Sequence, residues 1–177
     1  MKQPTIKSSN LADIKMLVLD VDGVLTDGSI LIDSNGSESK FFNVVDGHGI
    51  WMWQKAGLKV AFLSGRASKS TKYRAEQLGI DYVFEGCQDK LAVLKQLLEK
   101  LSLSPNMVAY VGDDLLDLPP IRYAGFGVAV ANAVDEVKQY ADYVTTRQGG
   151  SGAVREVIEY ILKNTGRWQE LIKRYLP

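Results

Sequence analysis

The chain has 177 residues, with 21 lysines and arginines against 21 aspartates and glutamates, so no net field draws it to nucleic acid or to an anionic membrane. That length suits one domain over residues 1–177 with a sizeable core, and no apolar run approaches the ~18 residues of a membrane span. The lone cysteine, Cys87, excludes an internal disulfide, and "MKQPTIKSSNLADIK" has no apolar signal segment, so the expectation is a cytoplasmic globular domain.

The first strong element is "IKMLVLD" (14–20), too short and too β-branched for an independent helix, which predicts a buried strand. Next, "GSILIDSNGSESKFFNV" (28–44) holds two short β-like runs around Ser34-Asn35-Gly36, the signal of a β-hairpin flap. Further strands are expected over 58–65, 81–86, 107–114 and 125–131. Between them, 68–80 and 87–103 carry apolar residues at helical spacing, with Gly79 placed as a C-cap. Strands alternating with helices predict an α/β fold with a doubly wound parallel sheet, which binds its ligands at the carboxyl ends of its strands. From about 166 to 177, "GRWQELIKRYLP" mixes basic and aromatic residues and reads as a tail extending from the body.

Acidic and small polar residues collect where ligands are expected. Asp20 and Asp22 share a direction because side chains of an extended segment repeat every two residues. Two carboxylates about 4 Å apart repel by roughly 4 kcal/mol at an effective dielectric near 20, so something must offset them. Such a pair suits a divalent cation, a nucleophile with its general acid/base, or both; alternatively Asp22-Gly23 only makes a turn, as Asp27-Gly28 is expected to do. A second cluster, Asp113, Asp114 and Asp117 in "VGDDLLD", follows another strand, and one of the three is expected to cap a helix. Two acidic clusters after parallel strands can converge on one hard cation, for which Mg²⁺ is the natural choice. Ser64, Gly65 and Arg66 in "FLSGR" offer a hydroxyl and backbone N–H groups to phosphate oxygens, and Lys90 adds a positive charge at a helix start.

Taken together, "DVDGVLTDG", Ser64, Lys90 and "GDDLLD" resemble, in order, the four motifs of the haloacid dehalogenase (HAD) superfamily of phosphohydrolases. That resemblance implies a HAD-like Rossmannoid domain with Asp20 as nucleophile and Asp22 as general acid/base. It also implies Mg²⁺ on Asp20, Asp113 and the backbone carbonyl of Asp22, Asp114 and Asp117 orienting the metal shell, and Ser64 and Lys90 on the phosphoryl oxygens. With a hairpin flap and no cap domain, and with "FFNVVDGHGI", "LSGRAS", "AYVGDDLLDLP" and "GGSGAVREV", the chain resembles one capless family over roughly residues 12 to 165. This is the family of 3-deoxy-D-manno-octulosonate 8-phosphate (KDO 8-phosphate) phosphatases of lipopolysaccharide synthesis. The resemblance implies a homotetramer with its flaps together at the centre and a phosphorylated sugar acid as substrate.

The same resemblance suggests Gly65, Arg66, Arg74, Asp46, Gly47 and His48 as substrate-binding residues, Arg66 pairing with the sugar-acid carboxylate through its planar fork. Packing is the other reading of His48. Gly149, Gly150 and Gly152 are expected to shape a loop beneath the site, Trp51 and Trp53 to lie in the core or an interface, and Cys87 to be a buried small residue. Val45, His48 and Ser151 depart from the family's usual residues. Arg66 favours the eight-carbon substrate over a nine-carbon homologue, 2-keto-3-deoxynononate 9-phosphate. A receiver domain uses similar parts in a different order and lacks the flap.

Overall fold

A computed structural model describes residues 10–176. Most of the N-terminal stretch that lacks an apolar signal segment, and Pro177 at the end of the tail, lie outside the described residues. In chain order the elements are β1 (Met16–Leu19), β2 (Leu31–Ile32), β3 (Glu38–Ser39), α1 (Val44–Lys55), β4 (Lys59–Leu63), α2 (Lys69–Leu78) and β5 (Tyr82–Phe84). They continue with α3 (Lys90–Leu101), β6 (Val108–Gly112), α4 (Leu118–Tyr123), β7 (Phe126–Ala129), α5 (Asp135–Tyr140), β8 (Tyr143–Val144), α6 (Ala153–Asn164) and α7 (Trp168–Ile172).

Six strands form one parallel sheet in the order β5-β4-β1-β6-β7-β8, and β2 and β3 pair antiparallel by themselves. All four residues of central β1 are buried, as expected of a parallel strand covered on both faces, which is why it reads as an unbroken apolar run. Register places the chemistry. Leu19 pairs with Phe62 of β4 and with Val111 of β6, so Asp20, Ser64 and Asp113 leave neighbouring strands at one edge of the sheet. Among the described residues no cap domain stands over that edge; only the β2–β3 hairpin does.

All five strands expected from sequence lie within two residues of their predicted bounds at both ends, and Gly79 closes α2 in the left-handed conformation at φ 63°. The hairpin turn forms around Asp33, whose Oδ1 accepts from the N–H of Asn35 and Ser37, with Gly36 at φ 78°. Helix α2 begins at Lys69, so Ser64 to Ser68 form a loop rather than a helix start.

One expectation is corrected. The C-terminal segment does not extend away but folds back over α1 and α6. Trp168 packs against the core beneath the Arg155 and Lys163 side chains, and Arg174 lies over the Trp51 ring, 5.1 Å from its centroid. Aromatic faces and cations on both sides make this contact favourable within one chain.

Candidate active site

The turn after β1 is built before any ligand enters. Thr26, fully buried, uses its Oγ1 to accept from the N–H of Gly23 and of Gly28, both at 3.2 Å, which closes the "DGVLTDG" loop on itself. Gly23 sits at φ 87°, and a Cβ there would lie 2.0 Å from Asp113 Oδ2, so this position admits no side chain. Asp27 makes the turn expected of it, accepting from the Ser29 N–H. The glycine loop lies under this turn as anticipated: Gly150 N–H donates to Val24 O, and Asn132 bridges Gly149 N–H to Gly23 O.

Above that turn lies a cavity of ≈ 300 Å³ lined by Asp20, Asp22, Ser64, Arg66, Lys90 and Asp113, with Gly65, Asp114 and Asp117 also on its wall. Lys90, 3% exposed, places Nζ 2.9 Å from Asp20 and 2.7 Å from Asp117. Burial alone would lower its pKa, but those two carboxylates more than offset this and hold it raised. Asp117 is spent on the protein: Oδ1 accepts from Lys90 and from the buried Tyr110 hydroxyl at 2.6 Å, and Oδ2 from the N–H of Asp113 and Asp114. Asp114 is the cluster's helix cap, accepting from Leu115 N–H. Ser64 is buried and its Oγ accepts from the Arg66 N–H.

The repulsion lies between the two acidic clusters rather than within the Asp20–Asp22 pair, whose second member meets Lys40. Burial first, and then the Asp117 charge, push the Asp20 carboxyl well above its ordinary range, with Lys90 opposing. The same two causes raise Asp113 to about 7. Oxygens of Asp20, Asp113 and Asp117 lie within 4.8 Å of one another, and Asp113 Oδ1 is buried without a hydrogen-bond partner. An all-oxygen set with an orphaned carboxylate oxygen fits a hard divalent cation. Because Asp117 has already given its lone pairs to Lys90, Tyr110 and the backbone, Asp20 and Asp113 are the side chains free to hold it.

Asp46, Gly47, His48 and Arg74 are not among the residues that line this cavity. The Asp46 carboxylate accepts from Gly152 and Arg155 N–H at the start of α6, holding α1 to α6. Gly47 is small because Arg74 passes over it: a Cβ would meet Arg74 Nη2 at 2.3 Å, and Arg74 donates to Asn43 O. His48 stacks on Trp51 at 5.4 Å, with Tyr175 Oη 3.4 Å from its Nε2. Asp46→Ala should therefore lower stability by about 1 kcal/mol, the usual cost of a lost cap, and leave kcat within about twofold. Urea unfolding beside turnover checks this; a large loss of kcat at unchanged stability would place Asp46 in substrate binding instead.

Two residues at the site escaped the sequence. Lys40, on the flap, pairs with Asp22, and nothing in its motif context marks it. Tyr110 was legible in principle, since a tyrosine in a central buried strand must find a partner for its hydroxyl. Elsewhere, a cavity of ≈ 370 Å³ between β8 and α6 has its carboxylates engaged, Glu156 by Tyr143 and the Thr146–Arg147 backbone and Glu159 by Arg155 and Lys163.

A parallel α/β sheet that gathers an acidic cluster, a hydroxyl and a lysine at adjoining strand ends defines a phosphoryl-transfer hydrolase of the HAD type. Residues 85–158 match the family model described as haloacid dehalogenase-like hydrolase. The chain is 46% identical over 158 residues to the 3-deoxy-D-manno-octulosonate 8-phosphate phosphatase KdsC of Escherichia coli K12, covering 89% of this chain and 84% of that protein. The crystal structure of the Moraxella catarrhalis phosphatase of the same name, in complex with magnesium ion, phosphate ion and KDO, superposes with a TM-score of 0.91 at 42% identity, covering 93% of this chain and 95% of that one. The cobalt-bound Haemophilus influenzae phosphatase superposes at 0.85 with 42% identity over 88% of this chain and 91% of that one. The chain belongs to the 3-deoxy-D-manno-octulosonate 8-phosphate phosphatase family.

Proposed function

We propose that this chain is a Mg²⁺-dependent phosphomonoesterase that hydrolyses KDO 8-phosphate to the free sugar acid and phosphate in lipopolysaccharide precursor synthesis. The observation that carries this reading is the meeting of Asp20, Asp113, Ser64 and Lys90 in one cavity of a chain 46% identical to KdsC. An Asp20 oxygen attacks phosphorus, the ester bond breaks, and an aspartyl-phosphate forms. Asp22 gives its proton to the departing sugar oxygen, then takes one from the water that cleaves the aspartyl-phosphate. Lys90 and Ser64 bind the phosphoryl oxygens, and Asp117 with Tyr110 keeps Lys90 in place. Asp20, Asp113 and the Asp22 backbone carbonyl would hold Mg²⁺, which when bound neutralises charge on the transferring phosphoryl group. Asp114 and Gly65 complete the wall.

Arg66 is the proposed partner of the sugar-acid carboxylate. Its guanidinium faces the cavity mouth, half exposed, and pairs with a flap carboxylate, Glu38, at 2.9 Å. We further propose a homotetramer in the cytoplasm. No helix among the described residues is long and apolar enough to cross a membrane. Leu31, Ile32, Phe41 and Val44, on and beside the flap, are more than half exposed, and their apolar side chains suit a neighbouring copy. Sedimentation velocity reads the assembly directly; a monomer would remove it.

The deciding assay is Mg²⁺-dependent phosphate release from KDO 8-phosphate, 2-keto-3-deoxynononate 9-phosphate and p-nitrophenyl phosphate. The expected kcat/KM is at least ~100-fold higher for the eight-carbon substrate, about 2.7 kcal/mol of discrimination. Similar, poor values for all three would leave the chemistry and remove the substrate.

Metal dependence has a pH signature. A folded-state pKa of about 7 for Asp113, against an ordinary 3.8, means the metal-free fold binds this proton more tightly than the unfolded chain does. Metal-free stability therefore falls as pH rises from about 4 to 7, and the cost is fully present above that. Mg²⁺ removes it where the carboxylate is ionised and must displace a proton below. The rise in Tm on adding Mg²⁺ is expected to be larger near pH 8 than near pH 6. Equal shifts would exclude Asp113 as a ligand.

A further inference from the structure

The flap brings a cation to the cavity's edge. Lys40 follows β3 by one residue, and its side chain has no exposed surface although the hairpin's own residues are largely solvent-facing. Its Nζ lies 2.6 Å from Oδ1 and 2.8 Å from Oδ2 of Asp22. The other charges around it are Glu38, 3.6 Å from Nζ, and Arg66, whose Nε is 4.0 Å from Asp22 Oδ2 and whose Nη2 is 2.9 Å from Glu38. Ser70 of α2 donates to the Glu38 carbonyl, tying the same strand to the body.

A buried ammonium is costly unless a carboxylate meets it, so the flap settles where Lys40 reaches Asp22. The converse also holds. Asp22 is 19% exposed, and among the described residues Lys40 makes its closest ion pair, whereas Asp20 is held by Lys90. A carboxylate has about four lone-pair directions, so contact with one ammonium leaves room for a leaving oxygen or a water.

We propose that Lys40 is a positioning residue for Asp22: it fixes the carboxylate's orientation toward the leaving oxygen and makes flap docking a condition of turnover. This rests on the phosphatase reading above. Lys40 acts through Asp22 rather than on the phosphoryl group, which separates it from Lys90.

Leaving-group demand supplies the test. A sugar alkoxide needs a proton on departure; p-nitrophenolate does not. In rapid-quench single turnovers, Lys40→Met should slow release of the sugar from KDO 8-phosphate at least ~30-fold, within the range for a misplaced general acid. The burst of p-nitrophenol from p-nitrophenyl phosphate should stay within about threefold, with KM for either substrate little changed. Lys40→Arg should recover most of the sugar release. In an Asp22→Asn background, Lys40→Met should add less than about twofold, because the group it positions is gone. Equal loss on both substrates, or an undiminished effect in the Asp22→Asn background, would overturn the proposal. Should Lys40→Met lose its cooperative melting transition, Lys40→Gln carries the same comparison. A wild-type protein that releases no phosphate from KDO 8-phosphate sinks the phosphatase reading itself; active wild type beside an unaffected Lys40→Met sinks only this assignment.

Discussion

Asp20→Asn is expected to fold, to keep its assembly and to release essentially no phosphate, with kcat at least ~10⁴-fold down, as when a covalent nucleophile is removed elsewhere. The amide has no anionic oxygen to attack phosphorus, and it cannot carry the phosphoryl group as a mixed anhydride. Its fold should survive for an electrostatic reason. Asp20 is buried beside Asp117 and Asp113, and burial together with those neighbours makes its ionised form unfavourable. Replacing it with a neutral isostere relieves that repulsion while keeping the shape, so metal-free Tm should hold or rise. Phosphate release by a coupled assay and a thermal melt are the two measurements. Near-wild-type turnover would remove Asp20 as nucleophile.

Lys90→Met is expected to do the opposite to stability and also to fail in catalysis. Lys90 joins two carboxylates, Asp20 at 2.9 Å and Asp117 at 2.7 Å, and all three side chains are nearly or fully buried. Breaking a buried pair by removing one partner leaves uncompensated charge and costs about 3–5 kcal/mol. Loss of a positioned cation on the phosphoryl oxygens should lower kcat by about 10²–10³.

The pH dependence identifies the cause. The Lys90 pKa is raised, so its own ionisation contributes equally across neutral pH and is lost only on strongly alkaline titration. Asp20 provides the slope: its raised pKa is opposed by Lys90, so with Lys90 gone it rises further and ionising Asp20 costs more as pH increases. The stability deficit against wild type, from urea unfolding, should therefore be larger near pH 8 than near pH 5. A deficit independent of pH would mean that lost packing, not charge, accounts for it.

Much of the site was legible because its parts sit at strand ends. The apolar runs marking β1, β4 and β6 each stop at Asp, Ser or Gly-Asp, and the Asn-Gly turn marked the flap. Helix α1 was not legible. Val44, Val45, Gly47 and Gly49 are weak helix formers, and the helix exists because Asn43 caps it and Asp46 and Ile50 are buried against the body. The packing of that helix's residues was equally hidden: the Asp46 carboxylate accepts from the start of α6, Arg74 passes over Gly47, and His48 stacks on Trp51. The C-terminal segment reads as a tail because its basic residues look solvated, whereas Arg174 lies over Trp51 and the segment's own Trp168 sits beneath Lys163 of α6.

By itself, the sequence determined the α/β class, the order of the four chemical motifs and the identity of the acids, hydroxyl and lysine that carry them, because each depends on local spacing along one strand or turn. Only the tertiary structure decided which charge meets which. That Asp117 holds Lys90 and Tyr110, that Asp113 keeps an oxygen free, and that Lys40 crosses from the flap to Asp22 are consequences of strand register and of burial. Partners 18 or 27 residues apart leave no periodic trace in the chain. Their pairing follows from the cost of a buried charge, which exists only once the sheet has closed around it.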